Sequence, residues 1–227
     1  MAKLIFYTIT GGHDMSRMLA GIKIPDSTLC KLATERVREV ENDLLFNHSS
    51  RVYCFAAIAG EQKKLKYDSE LLYISAMFHD MGLTQRYKSK TERFEVDGAN
   101  VAAEFLREHK ISESDIEMVW DAIALHTTPG IPKHKKTIVA LVQAGAETDI
   151  LGIGFNQFSE AEREEVVKRF PRGAHFKNEM MRALYDAIKD KPETAFGTIK
   201  ADVIARFDPK FKPINFCELI LNSKWPT

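Results

Sequence analysis

Four side chains of ligand type stand where the surrounding sequence is apolar: His48 in "LLFNHSSRVYCFAAIAG", His79 and Asp80 in "AMFHDMGLT", and Asp149 in "IVALVQAGAETDILG". An aspartate inside such a run is costly unless it is paired or bound to metal, because burial disfavours its charged form. For the His79-Asp80 dipeptide alone, a hydrogen bond from His79 or from a distant arginine meets that need as well as an ion does. Two imidazoles and two carboxylates spread over three apolar helices turn the balance towards an ion. Such a set suits one borderline divalent metal, Zn²⁺ first, with Fe²⁺ or Mn²⁺ as the other candidates, and leaves positions open for water. Adjacent helical residues point about 100° apart, so His79 and Asp80 reach one ion only near a helix end, which Gly82 is expected to form as a C-cap. A second His-Asp pair, His13 and Asp14 in "TGGHDMSRM", follows glycines and has no companion ligand. It reads as a turn or helix cap.

The elements that must carry these residues read as helices. "SESDIEMVWDAIALH" places Ile116, Val119, Trp120, Ile123 and Ala124 on one stripe, with Ser114 and Glu117 as a capping box, and "TTPG" stops it after His126. "SEAEREEVVKRFP" repeats the pattern with Ser159 and Glu162. "DSELLYISAMFHDMG" starts at Asp68 or Ser69 and is apolar on nearly every side, as a central buried helix must be. Further helices are expected at about 27 to 45, 47 to 60, 96 to 109, 137 to 151, 175 to 190 and 197 to 206. Two-residue alternation is absent, so the expected fold is all-α. The expected organisation is one domain over 1–227, with a core at about 27–206 and Pro-punctuated, irregular arms at both ends. Leu219, Ile220, Leu221 and Trp225 make the last arm too apolar to be simply solvated and hint at a homodimer.

Composition narrows the partners. The 227 residues include 32 basic and 32 acidic side chains, so no overall field favours nucleic acid or an anionic lipid surface. The start, "MAKLIFYTIT", lacks the features of a signal peptide, and no apolar run reaches the roughly 18 residues of a membrane span. Cys30, Cys54 and Cys217 are odd in number and widely spaced, which suits reduced thiols and a cytoplasmic protein. A small-molecule substrate is the expected partner.

In the order and content of five blocks the chain resembles the HD-domain superfamily of metal-dependent hydrolases, and within it the cyanamide hydratase branch. The blocks are "NHSSRVY" (47–53), "AMFHDMGLT" (76–84), "RFEVDGANVAAEFL" (93–106), "AIALHTTPGI" (122–131) and "LVQAGAETDILG" (141–152). The resemblance implies a helical bundle with His48, His79, Asp80 and Asp149 as metal ligands, and Glu95, Asp97, His126 and Thr127 near the pocket. Read from the residues alone, His126 is equally a helix C-cap favoured by the macrodipole. Glu95 and Asp97 are equally first-turn acids and an N-cap. With only His126 placed to add a second set of ligands, a mononuclear site is expected.

The implied reaction is hydration of a small nitrile-type substrate, cyanamide to urea. Metal-activated water supplies hydroxide to the carbon, while His126, Glu95 or a ligand carboxyl protonates the nitrogen; Thr127 and Asp97 would contact the substrate. One alternative is a phosphohydrolase acting on a nucleotide or phosphomonoester, for which Arg86, Lys88, Lys90 and Arg93 offer cations, although Leu83 and Thr84 stand where such enzymes often carry a lysine. Another is a non-catalytic domain that binds a metal or ligand; that reading predicts a lost ligand, and none is lost.

Overall fold

The computed structural model describes residues 18–225. His13 and Asp14 therefore lie outside the described residues. Among those described the architecture is all-α, with one short ribbon in which β1 (Met18–Leu19) and β2 (Ile22–Lys23) pair antiparallel about Ala20 and Gly21.

The first two helices divide at a different place from the one expected. α1 (Thr28–Arg38) ends early, and α2 (Asp43–Gln62) begins where the Asn42 side chain accepts a hydrogen bond from the Leu45 amide. Asn-Asp before an apolar run is an N-terminal signal, and it puts His48 in the second turn of α2 instead of at its start. α3 (Ser69–Phe78) begins as expected, with the Asp68 carboxylate accepting from the amides of Glu70 and Leu71. Every side chain from Leu71 to Phe78 is buried, and each large apolar one contributes roughly 1.5–3 kcal/mol.

α3 stops short of Gly82. His79 is its C-cap, Asp80 follows, and Met81–Leu83 form a tight 3-10 turn. Gly82 does not adopt the left-handed backbone of a C-cap; its role is steric. A Cβ there would lie 2.0 Å from the Phe94 carbonyl oxygen and 2.9 Å from the Asp97 Cβ, so glycine lets α4 (Phe94–Glu108) start directly against the turn.

α5 (Glu113–Ala124) is capped by Ser112, which accepts from the Asp115 amide, and not by the Ser114-Glu117 box. α6 (Thr137–Leu151) ends on Gly152 at φ 71° and lies against α2 so closely that a Cβ on Gly145 would sit 2.3 Å from the Val52 oxygen. α7 (Glu160–Arg169) carries the expected Ser159-Glu162 capping box with both bonds formed. α8 (Phe176–Ile188) and α9 (Lys200–Phe207) follow. The tail from Asp208 is not wholly irregular, since α10 (Phe216–Leu221) forms there with all its side chains exposed.

α3 occupies the centre and touches α1, α2, α4, α5 and α6. One apolar cluster extends from the ribbon to α7; a smaller one joins α8 and α9 to Leu45, Leu83 and Phe94. Among the described residues no helix is long and apolar enough to cross a membrane.

Candidate metal centre

Three expected ligands converge at the end of α3. His48 Nε2 lies 3.2 Å from His79 Nε2, and Asp80 Oδ2 lies 3.5 Å from the first and 3.4 Å from the second. Their side chains are almost completely buried. Donors held by one tetrahedral ion at about 2.0–2.2 Å are roughly 3.3–3.6 Å apart, close to the edges of this triangle.

The hydrogen bonds behind the rings fix which atoms face it. His79 Nδ1 donates to the Ala76 carbonyl at 2.7 Å, and His48 Nδ1 donates to Asp149 Oδ2 at 2.7 Å. Both Nε2 atoms then present lone pairs to each other, an arrangement that repels unless a cation lies between them. His79 does not supply a proton for that purpose: burial, with His126 and His48 alongside, outweighs the charge of Asp80 and lowers it to about 3. Asp80 Oδ2 is buried without a hydrogen-bond partner, an expensive state for a carboxylate oxygen. Two facing lone pairs and an orphaned anion fit a divalent metal held by His48, His79 and Asp80.

Asp149, expected as the fourth ligand, is not brought into the triangle. It stands behind His48, with Oδ1 and Oδ2 accepting from Arg51 Nε and Nη2 at 2.8 and 2.9 Å, and Oδ1 also from Arg172 at 2.5 Å. Burial pushes its carboxyl up, but the bonds from His48 and Arg51 outweigh burial and hold it well below the usual carboxylate range. The helix explains the placement, because Asp149 lies one turn after Gly145 on the face pressed to α2.

His126 does approach. Its Nδ1 donates to the Ile123 carbonyl at 2.6 Å, its Nε2 lies 3.7 Å from Asp80 Oδ1, and its ring stands edge-on to His79 at 4.8 Å. Beside it the Thr127 hydroxyl donates to Glu95 Oε1. Glu95 itself is sealed behind Thr127. Burial would raise its carboxyl, but the Lys200 ammonium at 2.7 and 3.0 Å and the Arg93 guanidinium at 3.0 Å hold it at about 2. Those cations favour its ionised form. Asp97 is likewise turned away from the pocket, accepting from Lys191 Nζ at 3.0 Å and the Ser89 amide at 2.9 Å. Arg93 does not cap α4 with its side chain, and neither Glu95 nor Asp97 does.

A cavity of about 120 Å³ opens over the triangle. His48, His79, Asp80, His126 and Thr127 form its polar floor, and Phe94, Ala146, Ile150, Met180 and Leu184 are among its apolar walls. Among the described residues no lysine or arginine lines it. Two acidic residues escaped the sequence reading. Glu147 lines the cavity, and burial raises its carboxyl; its signal was the helical phase it shares with Ala146 and Ile150, about 200° from Asp149. Glu41 is buried, accepts from the Ser49 hydroxyl at 3.4 Å, and is pushed well up by burial and by the charge of Asp80. No sequence pattern marks Glu41.

A family model for the HD domain matches residues 45–168, more than half of the chain, and the chain therefore belongs to the HD-domain family. Membership points to a metal-dependent hydrolase that binds a divalent ion. No curated protein matches the chain.

Proposed function

We propose that the protein is a cyanamide hydratase-like enzyme that adds water to a small nitrile-type substrate, with zinc as its single metal. The observation that carries the reading is the cavity. At about 120 Å³ it has room for roughly four waters, well under the 300 Å³ at which ordinary ligand pockets begin. A three-heavy-atom nitrile suits that space and a nucleotide does not. The lining has no lysine or arginine to hold a phosphate; Arg86 pairs with Glu39 and Arg93 with Glu95 instead.

His48, His79 and Asp80 would hold the metal, which when bound supplies Lewis acidity that polarises the substrate and brings a water towards ionisation at neutral pH. Around it the chain handles protons and orientation. His126 has its Nδ1 committed to Ile123, so its Nε2 is the atom that takes a proton from the incoming water and returns it to the nitrile nitrogen. Oxygen adds to carbon, the proton adds to nitrogen, and no group leaves. Thr127 spends its hydroxyl proton on Glu95 and so offers lone pairs to substrate N–H groups. Asp149 and Arg51 hold the His48 ring, while Phe94, Met180 and Leu184 keep bulk water out. The whole chain is read as one HD domain working in the cytoplasm, as a homodimer.

Family membership also favours phosphoester hydrolysis, and one experiment separates the two. Zinc-loaded protein is assayed for urea from cyanamide and for phosphate from a panel of nucleotides and phosphomonoesters. Urea formation that disappears in His79→Ala supports the proposal; phosphate release without urea overturns it.

A further inference from the structure

We propose that a second cavity, on the opposite side of α6 from the metal centre, binds an oxyanion carried on an apolar body, the chemistry of an aryl phosphate or aryl carboxylate. Its volume is about 290 Å³, more than twice that of the cavity over the metal centre and near the lower end of ordinary ligand pockets. Arg163, Arg172 and Lys177 line it, together with Phe55, Phe155 and Val167.

Charge is the first argument. Asp149 is the one carboxylate among the described lining residues, and Arg51 already covers it from behind with two bonds. Arg172 reaches the same carboxylate, so two guanidinium groups share one negative charge. Among the described residues Arg163 hydrogen-bonds the Phe155 and Phe158 carbonyls and no carboxylate, neutral acceptors that leave its charge uncancelled. Lys177 is exposed and has no hydrogen bond or ion pair among the described residues. In a chain whose formal charge is zero, this is a local excess of cations around a concave space, the condition that concentrates anions.

Shape is the second argument. The Arg163 guanidinium lies 4.0 Å over the Phe155 ring, and Phe55 and Val167 extend the apolar wall. An inorganic anion would satisfy the cations and leave that wall wet; an aromatic body would cover it. The space is separate from the one over the metal centre, sharing only Ile150 and Leu151 with it, and the two are linked through Asp149, which lines this cavity and holds His48 from behind.

The test titrates the full chain with phenyl phosphate, benzoate and inorganic phosphate by calorimetry, in zinc-loaded and chelator-stripped forms. Phenyl phosphate or benzoate is expected to bind both forms within about threefold of each other, and inorganic phosphate at least tenfold more weakly. Lys177→Glu, an exposed substitution, is expected to weaken the tighter ligand at least tenfold with zinc content and circular dichroism unchanged. Binding that requires zinc would place the anion on the metal and overturn the proposal. So would the absence of binding at millimolar ligand, or Lys177→Glu binding as tightly as the unsubstituted chain.

Discussion

Two groups of buried charged side chains meet where the end of α3 touches the start of α4, and the fold treats them in opposite ways. On the α4 side, Glu95 receives Lys200 on both oxygens as well as Arg93 and Thr127, and Asp97 receives Lys191 and a backbone amide. On the α3 side, Asp80 Oδ2 is left without a hydrogen bond while two imidazole lone pairs face each other beside it. In the first group both carboxylates are matched by cations, although the buried Arg93 Nε has no partner, and the group acts as an attachment, fastening the segment with α8 and α9 to the bundle. The second is incomplete, and what it lacks is a cation. Burial alone distinguishes nothing between them; whether a cation meets each buried carboxylate does.

The contrast is broken most severely at Lys200. Lys200→Met takes the ammonium off both Glu95 oxygens, leaving only Arg93 and Thr127 on Oε1, and is expected to lower the unfolding free energy by about 3–5 kcal/mol, measured by urea denaturation, with zinc stoichiometry retained in the folded fraction. Asp80→Asn should do the reverse. In chelator-stripped protein it removes an uncompensated buried charge, so stability holds or rises, while zinc content falls to under a tenth of an equivalent and the stabilisation of about 2.7 kcal/mol expected at a hundredfold excess of zinc over its Kd disappears.

Acid sharpens the same difference. Glu95 is held at about 2 in the folded state against an ordinary 4.5. A depressed folded pKa contributes stability that is present above the unfolded value and lost as pH falls towards the folded one. The stability gap between the unsubstituted chain and Lys200→Met should therefore narrow between pH 4.5 and about 2, as urea melts across that range would record. The smallest effect is expected at the cavity rim. Glu147→Gln should change stability by less than about 0.5 kcal/mol and raise KM for cyanamide several-fold at nearly constant kcat.

How much of this was legible follows from how far each signal travels along the chain. His48, His79 and Asp80 stood out because a ligand-type side chain in an apolar run needs a reason, and that need is local. His126 was placed near them by the family resemblance alone, since its position at a helix end read equally as a C-cap. Asp149 drew attention by the same rule, while Glu147, two residues earlier and about 200° away on the helix, did not. The structure gives the cavity to Glu147 and the back of His48 to Asp149. Glu95 and Asp97 were placed near the pocket only by the family resemblance, and the partners that neutralise them, Lys200 and Lys191, come from about a hundred residues away. Long-range pairing of that kind leaves no periodic trace. The helices themselves were readable wherever a cap preceded an apolar stripe, and the break before α2 was missed because Asn42 was not weighed as a cap.

Gly82 touches neither the metal-capable atoms nor the cavity, yet it sets how closely two chain segments can stack. Any side chain there would meet the Phe94 carbonyl at bonding distance, pushing the first turn of α4 away and taking Thr127's anchor, Glu95, with it. In a saturation scan selected for activity, position 82 should thus be as intolerant as position 79, with alanine failing alongside the larger residues. A methyl group that meets no reacting atom would be enough to disarm the protein.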